Sequence, residues 1–240
     1  MSTHSEAIGD IVDACRVLAN TGLAELYTGH VSVQTERGIL IPEHRHDSGY
    51  GLESVTLDSV IEVDLDGEPA EDGVEPPSEF VIHAALLEAR PEVTSVVHAH
   101  PLYATGLSIT GAEIEPASLD AALLGGSVPI YDPGPKLIHD DSEGAALAET
   151  IGDGVAALVR GHGAVTVGRS VGAATTRMYL LERAARLQAV AAQFGGPDGS
   201  YEPFDGDVLA ESEEGFLDEA FAYLRRQYAG EETPPPIGGR

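Results

Sequence analysis

Residues 93–101 read Val-Thr-Ser-Val-Val-His-Ala-His-Pro, a short apolar run that closes on two histidines and a proline. Side chains i and i+2 of a strand point to the same side, so a buried strand here presents His98 and His100 together. A catalytic zinc usually takes three protein ligands and leaves one position open. Two imidazoles on a rigid strand end are therefore half of a metal site.

Upstream of this run, Pro76-Pro-Ser-Glu79 reads as a helix start with an acid in its first turn. That helix runs to about residue 89 and is stopped by Pro91. Nearer the N-terminus, a Thr3–Glu6 capping box opens a helix that reaches about residue 21 and stops at Gly22. Residues 30–34 and 39–42 read as a hairpin turning at Arg37-Gly38, followed by a polar loop over 43–49 and a strand over 60–65. Downstream comes a Gly-containing stretch to about residue 114, then a strand over 128–131 and a helix over 142–151. Strands at 156–159 and 164–167 flank Arg160-Gly-His-Gly163, and the longest helix spans 171–193. Helices and strands alternate throughout, which predicts an α/β or α+β class.

Beyond Pro197 the character changes. Residues 201–240 hold ten acids against three bases, one amphipathic segment over 215–228 and a Pro-Pro-Pro ending. This predicts a main domain over 1–200 and an acidic extension over 201–240, made of one docked helix and a disordered tip.

The chain has 240 residues, 42% of them hydrophobic, enough to bury a substantial core. Its 13 basic and 40 acidic residues leave a formal net charge of −27, and Lys136 is the only lysine. Such a surface repels nucleic acid and anionic membranes, so neither is expected as a partner. Abundant acid with almost no lysine points to a halophilic protein, whose self-repulsion is screened by concentrated salt. Cys15 is the only cysteine, which excludes a disulfide framework; it falls on the apolar side of the first helix as a packing residue. No basic-then-apolar leader and no membrane-length apolar run stand in the chain, so a cytoplasmic location is expected.

His162, framed by Gly161 and Gly163, is the best third ligand, because glycines let the backbone approach closely and aim the ring. Glu79 is the best acid, as fourth ligand or as base. His83 lies one turn after it on the same helix face and reads as a supporting or core residue. His4, His44, His46 and His139 stand in polar stretches and read as solvated. A His-x-His pair alone also occurs in cupin and amidohydrolase barrels, but Leu-Tyr-Ala-Thr-Gly follows His100 where a cupin glutamate would stand.

Three stretches taken together resemble the class II aldolase and adducin family over about residues 6–195. They are Pro-Ser-Glu-Phe-Val-Ile-His, Ala-Arg-Pro-Glu-Val-Thr-Ser-Val-Val-His-Ala-His and Arg-Gly-His-Gly-Ala-Val before a long helix. The resemblance implies a three-layer α/β/α sandwich with a largely antiparallel central sheet. It also implies a homotetramer with active sites between neighbouring subunits. Its sugar-phosphate aldolases hold zinc, or another divalent ion such as Mn²⁺, with histidines matching His98, His100 and His162; their acid/base glutamate matches Glu79. Cleavage beside a carbonyl leaves an enediolate, whose charge a metal stabilises while the glutamate moves the proton. The expectation is thus a metal-dependent lyase of the aldolase type in carbohydrate metabolism, acting on a small hydroxy-carbonyl compound such as a sugar phosphate. His30 and Ser78 are the expected substrate contacts.

Several residues depart from the aldolase pattern. Tyr27 and His30 stand in the first loop, Glu43 and His44 replace a Thr-Gly pair, Pro77 replaces a serine, and Leu119 falls about where the catalytic tyrosine would lie. Tyr223 or Tyr228 is a candidate replacement, supplied to a neighbour's site. The Gly-His-Val-Ser, Val-Pro-Ile-Tyr-Asp and Arg-Gly-His-Gly stretches look more like the branch with aromatic-acid decarboxylases. The alternative is therefore decarboxylation of a hydroxylated acid gripped by Arg45, Lys136 or Arg160. A non-enzymatic, adducin-like oligomer is the third reading, and the three retained histidines argue against it.

Overall fold

The computed structural model describes residues 4–44, 50–195 and 213–230. Its seven strands are β1 (His30–Gln34), β2 (Ile39–Pro42), β3 (Val60–Val63), β4 (Ser95–Ala99), β5 (Ile130–Tyr131), β6 (Ala156–Val159) and β7 (Gly163–Gly168). They form one sheet in the order β3-β2-β1-β4-β7-β6-β5. Every neighbouring pair is antiparallel except β5 and β6, which run parallel.

The helices are α1 (His4–Asn20), α2 (Val81–Ala89), α3 (Leu102–Thr110), α4 (Leu119–Ala122), α5 (Asp141–Ile151), α6 (Val171–Gln193) and α7 (Glu213–Tyr228). Strand alternation sorts the core into two layers. Val31, Val97, Ala99 and Ala164 face one layer with α1, α3, α6 and α7. Val96, Val165 and Val167 face the other with Ile82, Leu86 and Leu87 of α2 and Leu147 and Ile151 of α5. The result is the expected three-layer α/β/α sandwich. Central strand β4 is buried along its whole length, as an apolar run covered on both faces should be.

Three local expectations change. Helix α2 begins at Val81, so Glu79 stands just ahead of it rather than in its first turn. The preceding residues form a tighter turn instead, with the Phe80 amide on the Pro77 carbonyl at 2.9 Å. Residues 102–110, part of the Gly-containing stretch that carries no expected element, form α3. Its first amides, on Tyr103 and Ala104, each donate at 2.9 Å to the Glu182 carboxylate of α6, a cap that lies far away in the chain. Tyr228 is buried and so cannot reach a neighbour's site, whereas Tyr223 is exposed.

Helix α7 joins the core through Leu217, Phe221, Leu224 and Tyr228. Arg225 ties it to Asp10 and Asp13 of α1, and Thr176 of α6 donates to the Leu217 carbonyl at 3.0 Å. Thr3 of the capping box, Arg45 and His46, and the acidic tip over 231–240 lie outside the described residues.

Candidate metal and substrate site

His98 stands one residue before the end of β4 between two partner strands, paired with His30 of β1 and Val165 of β7. Its Nδ1 lies 3.0 Å from the Ala164 carbonyl, which can only accept, so Nδ1 carries a proton and Nε2 is the nitrogen turned toward the cluster. His100 follows one residue beyond the strand, on the same side, with its Nε2 3.1 Å from that of His98.

His162 arrives from the tight turn between β6 and β7, closed by its own amide on the Val159 carbonyl at 3.0 Å. Both flanking glycines are required. Gly161 has φ +64°, in the left-handed region that disfavours a side chain. At Gly163 a Cβ would collide with the Ala99 carbonyl and come within 2.7 Å of the His100 ring. Ser108 of α3 anchors this turn, its hydroxyl accepting the Gly161 amide at 2.9 Å.

Glu79 completes the cluster from the far wall. The Ile138 amide donates to its Oε1 at 3.0 Å. Its Oε2 lies 3.4 Å from His162 Nε2 and 3.6 Å from His98 Nε2. Burial opposes ionisation of this carboxyl, but the His162 and His98 rings and the Ile138 amide outweigh it and hold it well below the usual carboxylate range. Burial and the neighbouring imidazoles push His100 down to about 3, so it stays neutral.

One ligand atom from each of Glu79, His98, His100 and His162 lies within 4.8 Å of the others. Both ring nitrogens of His162 are buried without a hydrogen bond. Three imidazoles and a carboxylate are a donor set suited to a divalent cation, and the orphaned His162 nitrogens fit a role in holding one.

The cluster opens on a cleft of about 270 Å³ whose walls include His30, Ser78, Glu79 and His100. Ser78 also receives His139 Nδ1 on its backbone carbonyl at 3.1 Å. His4 and His44 are exposed as expected, and so is His139. The cations proposed for a substrate carboxylate are engaged elsewhere: Arg160 pairs with Asp132 at 2.7 Å and Lys136 pairs with Glu143, neither lining the cleft.

Sequence reasoning missed Ile138, whose contribution is a backbone amide and leaves no mark in residue type. It also missed the link from His83 to His30 and Ser32, although Ser32 lies two positions after His30 on the same strand face.

Residues 9–189 match the family model described as Class II Aldolase and Adducin N-terminal domain. The chain is 33% identical over 204 residues to a protein of Arthrobacter keyseri named 3,4-dihydroxyphthalate decarboxylase, covering 81% of this chain and 82% of that one. It is 31% identical over 158 residues, 64% of this chain and 69% of the other, to an Escherichia coli protein named 5-methylthioribulose-1-phosphate/5-deoxyribulose-1-phosphate aldolase. An aldolase II superfamily protein from Pseudomonas syringae shares the fold at a TM-score of 0.76 and 24% identity, over 94% of this chain and 93% of that one.

Proposed function

The chain belongs to the class II aldolase and adducin family, and on that premise we propose a metal-dependent carbon–carbon lyase that decarboxylates a hydroxylated aromatic acid. The lining of the cleft carries this reading. Tyr27, Pro42, Tyr50, Leu52, Val55 and Leu137 give it apolar and aromatic walls, and no lysine or arginine stands among its described lining residues. A planar ring suits such walls. The name of the Arthrobacter keyseri relative supports the same substrate class. Aldol cleavage, ranked first from sequence, becomes the second reading; the name of the Escherichia coli relative supports it.

His98, His100 and His162 would hold a divalent cation, Zn²⁺ or Mn²⁺, which when bound stabilises negative charge on a substrate oxygen as a Lewis acid. Glu79 is ionised and takes the proton of a ring hydroxyl conjugated with the carboxylate. It returns that proton to the ring carbon bearing the carboxylate. The carbon–carbon bond then breaks, its electron pair restores the aromatic phenolate as carbon dioxide leaves, and solvent reprotonates the oxygen. The Ile138 amide holds Glu79 on the cleft wall for both transfers, and His30 and Ser78 contact the substrate's polar groups.

The test offers the metal-loaded protein 3,4-dihydroxyphthalate and ketose 1-phosphates, with carbon dioxide and aldehyde both measured. Carbon dioxide from the aromatic acid, with 3,4-dihydroxybenzoate as the product and the release abolished by a chelator, is the expected result. Aldehyde from a ketose phosphate with no carbon dioxide would transfer the assignment to aldol cleavage. We also propose a homotetramer in solution, to be measured by light scattering. Leu102, Ile109 and Phe194, 74%, 63% and 87% exposed on the single chain, are apolar surface that a partner copy would cover.

A further inference from the structure

Behind the cleft wall, three polar side chains run in a line into the layer between the sheet and α2. His30 Nδ1 lies 2.6 Å from His83 Nε2, and His83 Nδ1 lies 2.6 Å from Ser32 Oγ. Ser32 and His83 are fully buried, and His30 is 8% exposed where it lines the cleft. Each of these two short contacts needs one proton between its two atoms, so the direction of either one fixes the direction of the other.

The direction of the chain follows from proton accounting. The Ser32 hydroxyl has no other hydrogen-bond partner among the described residues. If His83 donated to it, the hydroxyl proton would be buried without an acceptor, a costly arrangement. Ser32 therefore donates to His83 Nδ1, which leaves the His83 proton on Nε2. His83 in turn donates to His30 Nδ1, and the His30 proton is left on Nε2. With Nδ1 engaged, Nε2 is the nitrogen that His30 can offer to a ligand in the cleft.

We propose that Ser32 and His83 are positioning residues that lock His30 as a one-way hydrogen-bond donor toward an anionic oxygen of the substrate. The His30 ring centroid is 5.0 Å from that of His98. An oxygen held by His30 therefore lies beside the metal cluster, as the second of two neighbouring oxygens on a catechol or a hydroxy acid would. Groups that can only donate, such as an ammonium, are refused at this position. The proposal rests on the lyase reading for the class of substrate, but the tautomer itself does not depend on turnover.

The test is a long-range proton–nitrogen NMR correlation on zinc-loaded protein with nitrogen-15-labelled histidine, which identifies the protonated nitrogen of each neutral ring. The His30 signals are assigned by their loss in His30→Gln. In the wild-type protein both His30 and His83 are expected as Nε2–H, and 3,4-dihydroxybenzoate is expected to shift the His30 Nε2 resonance. Ser32→Ala should add an Nδ1–H population at His30 and weaken 3,4-dihydroxybenzoate about tenfold, the scale of one hydrogen bond, with zinc content unchanged. A wild-type His30 protonated on Nδ1 would overturn the proposal, as would a His30 resonance indifferent to the probe. The expected tautomers and shift without carbon dioxide release would count against the decarboxylase reading alone. Because the tautomers are read in the wild-type protein, the test survives a Ser32→Ala variant that fails to fold.

Discussion

Glu79→Gln keeps the size of the side chain and one of its oxygens while removing its charge and its basicity. The retained oxygen can still accept the Ile138 amide, now 3.0 Å from Oε1. The new amide nitrogen would stand where Oε2 faces His162 and His98 at 3.4 and 3.6 Å. The three imidazoles are untouched, so metal content should stay at wild-type stoichiometry. Loss of a positioned general acid/base costs roughly 10²–10⁴ in turnover, about 3–5 kcal/mol on the barrier. Replacing an ionised acceptor by a neutral one on a buried amide costs about 1 kcal/mol of stability, or about 2–4 °C in Tm. The sign with pH is fixed by the depressed Glu79 carboxyl. Its ionised form stabilises the folded state fully above the unfolded carboxylate range and less as pH falls below it. The stability gap between wild type and variant in the metal-free protein should therefore narrow below about pH 4. Carbon dioxide release at saturating substrate, metal analysis and calorimetry provide the three readings. A turnover within threefold of wild type would refute the proton-transfer role. Loss of metal together with turnover would make Glu79 a ligand first.

The remaining predictions concern the metal, the tail, the surface and the thiol. Removing a bound cation present at a hundredfold its Kd should cost about 2.7 kcal/mol, seen as a Tm lower by about 5–11 °C after chelation and restored by Zn²⁺ or Mn²⁺. Phe221→Ala, in the buried contact of α7 with α6, should destabilise by about 3–5 kcal/mol, measured by urea unfolding; an effect under about 1 kcal/mol would mean the helix is not part of the core. Raising potassium chloride from about 0.1 M to 1 M shortens the Debye length from about 10 Å to 3 Å, so a chain of net charge −27 should gain several degrees in Tm. Cys15 is fully buried and burial pushes its thiol up, so a thiol reagent should label it in denaturant and spare it in the native protein.

Much of the site could be seen in one dimension because its parts sit at points where the backbone is tightly constrained. A strand forces His98 and His100 to one side, and a turn flanked by glycines is a rare setting for a histidine such as His162. Those constraints act over a few residues and leave marks in residue type. Glu79 was found for a reason that the fold revises: acids favour helix starts, yet this one precedes its helix and is held by the Ile138 amide across the cleft. Helix α3 escaped notice for a similar reason, since its first amides are capped by Glu182, far away in the chain.

The sequence by itself determined most of the strands and helices, the family through the resemblance of three motifs taken together, and which imidazoles were candidates to share one point. The elements and the candidate imidazoles follow from periodicity and local backbone geometry, which neighbouring residues settle among themselves. Only the tertiary structure decided that these side chains meet within 4.8 Å, that apolar walls line the cleft, and that Ser32, His83 and His30 form a single hydrogen-bonded chain. Hydrogen-bond direction and pocket lining depend on which groups from distant segments lie within about 3 Å of one another, and that is settled by packing.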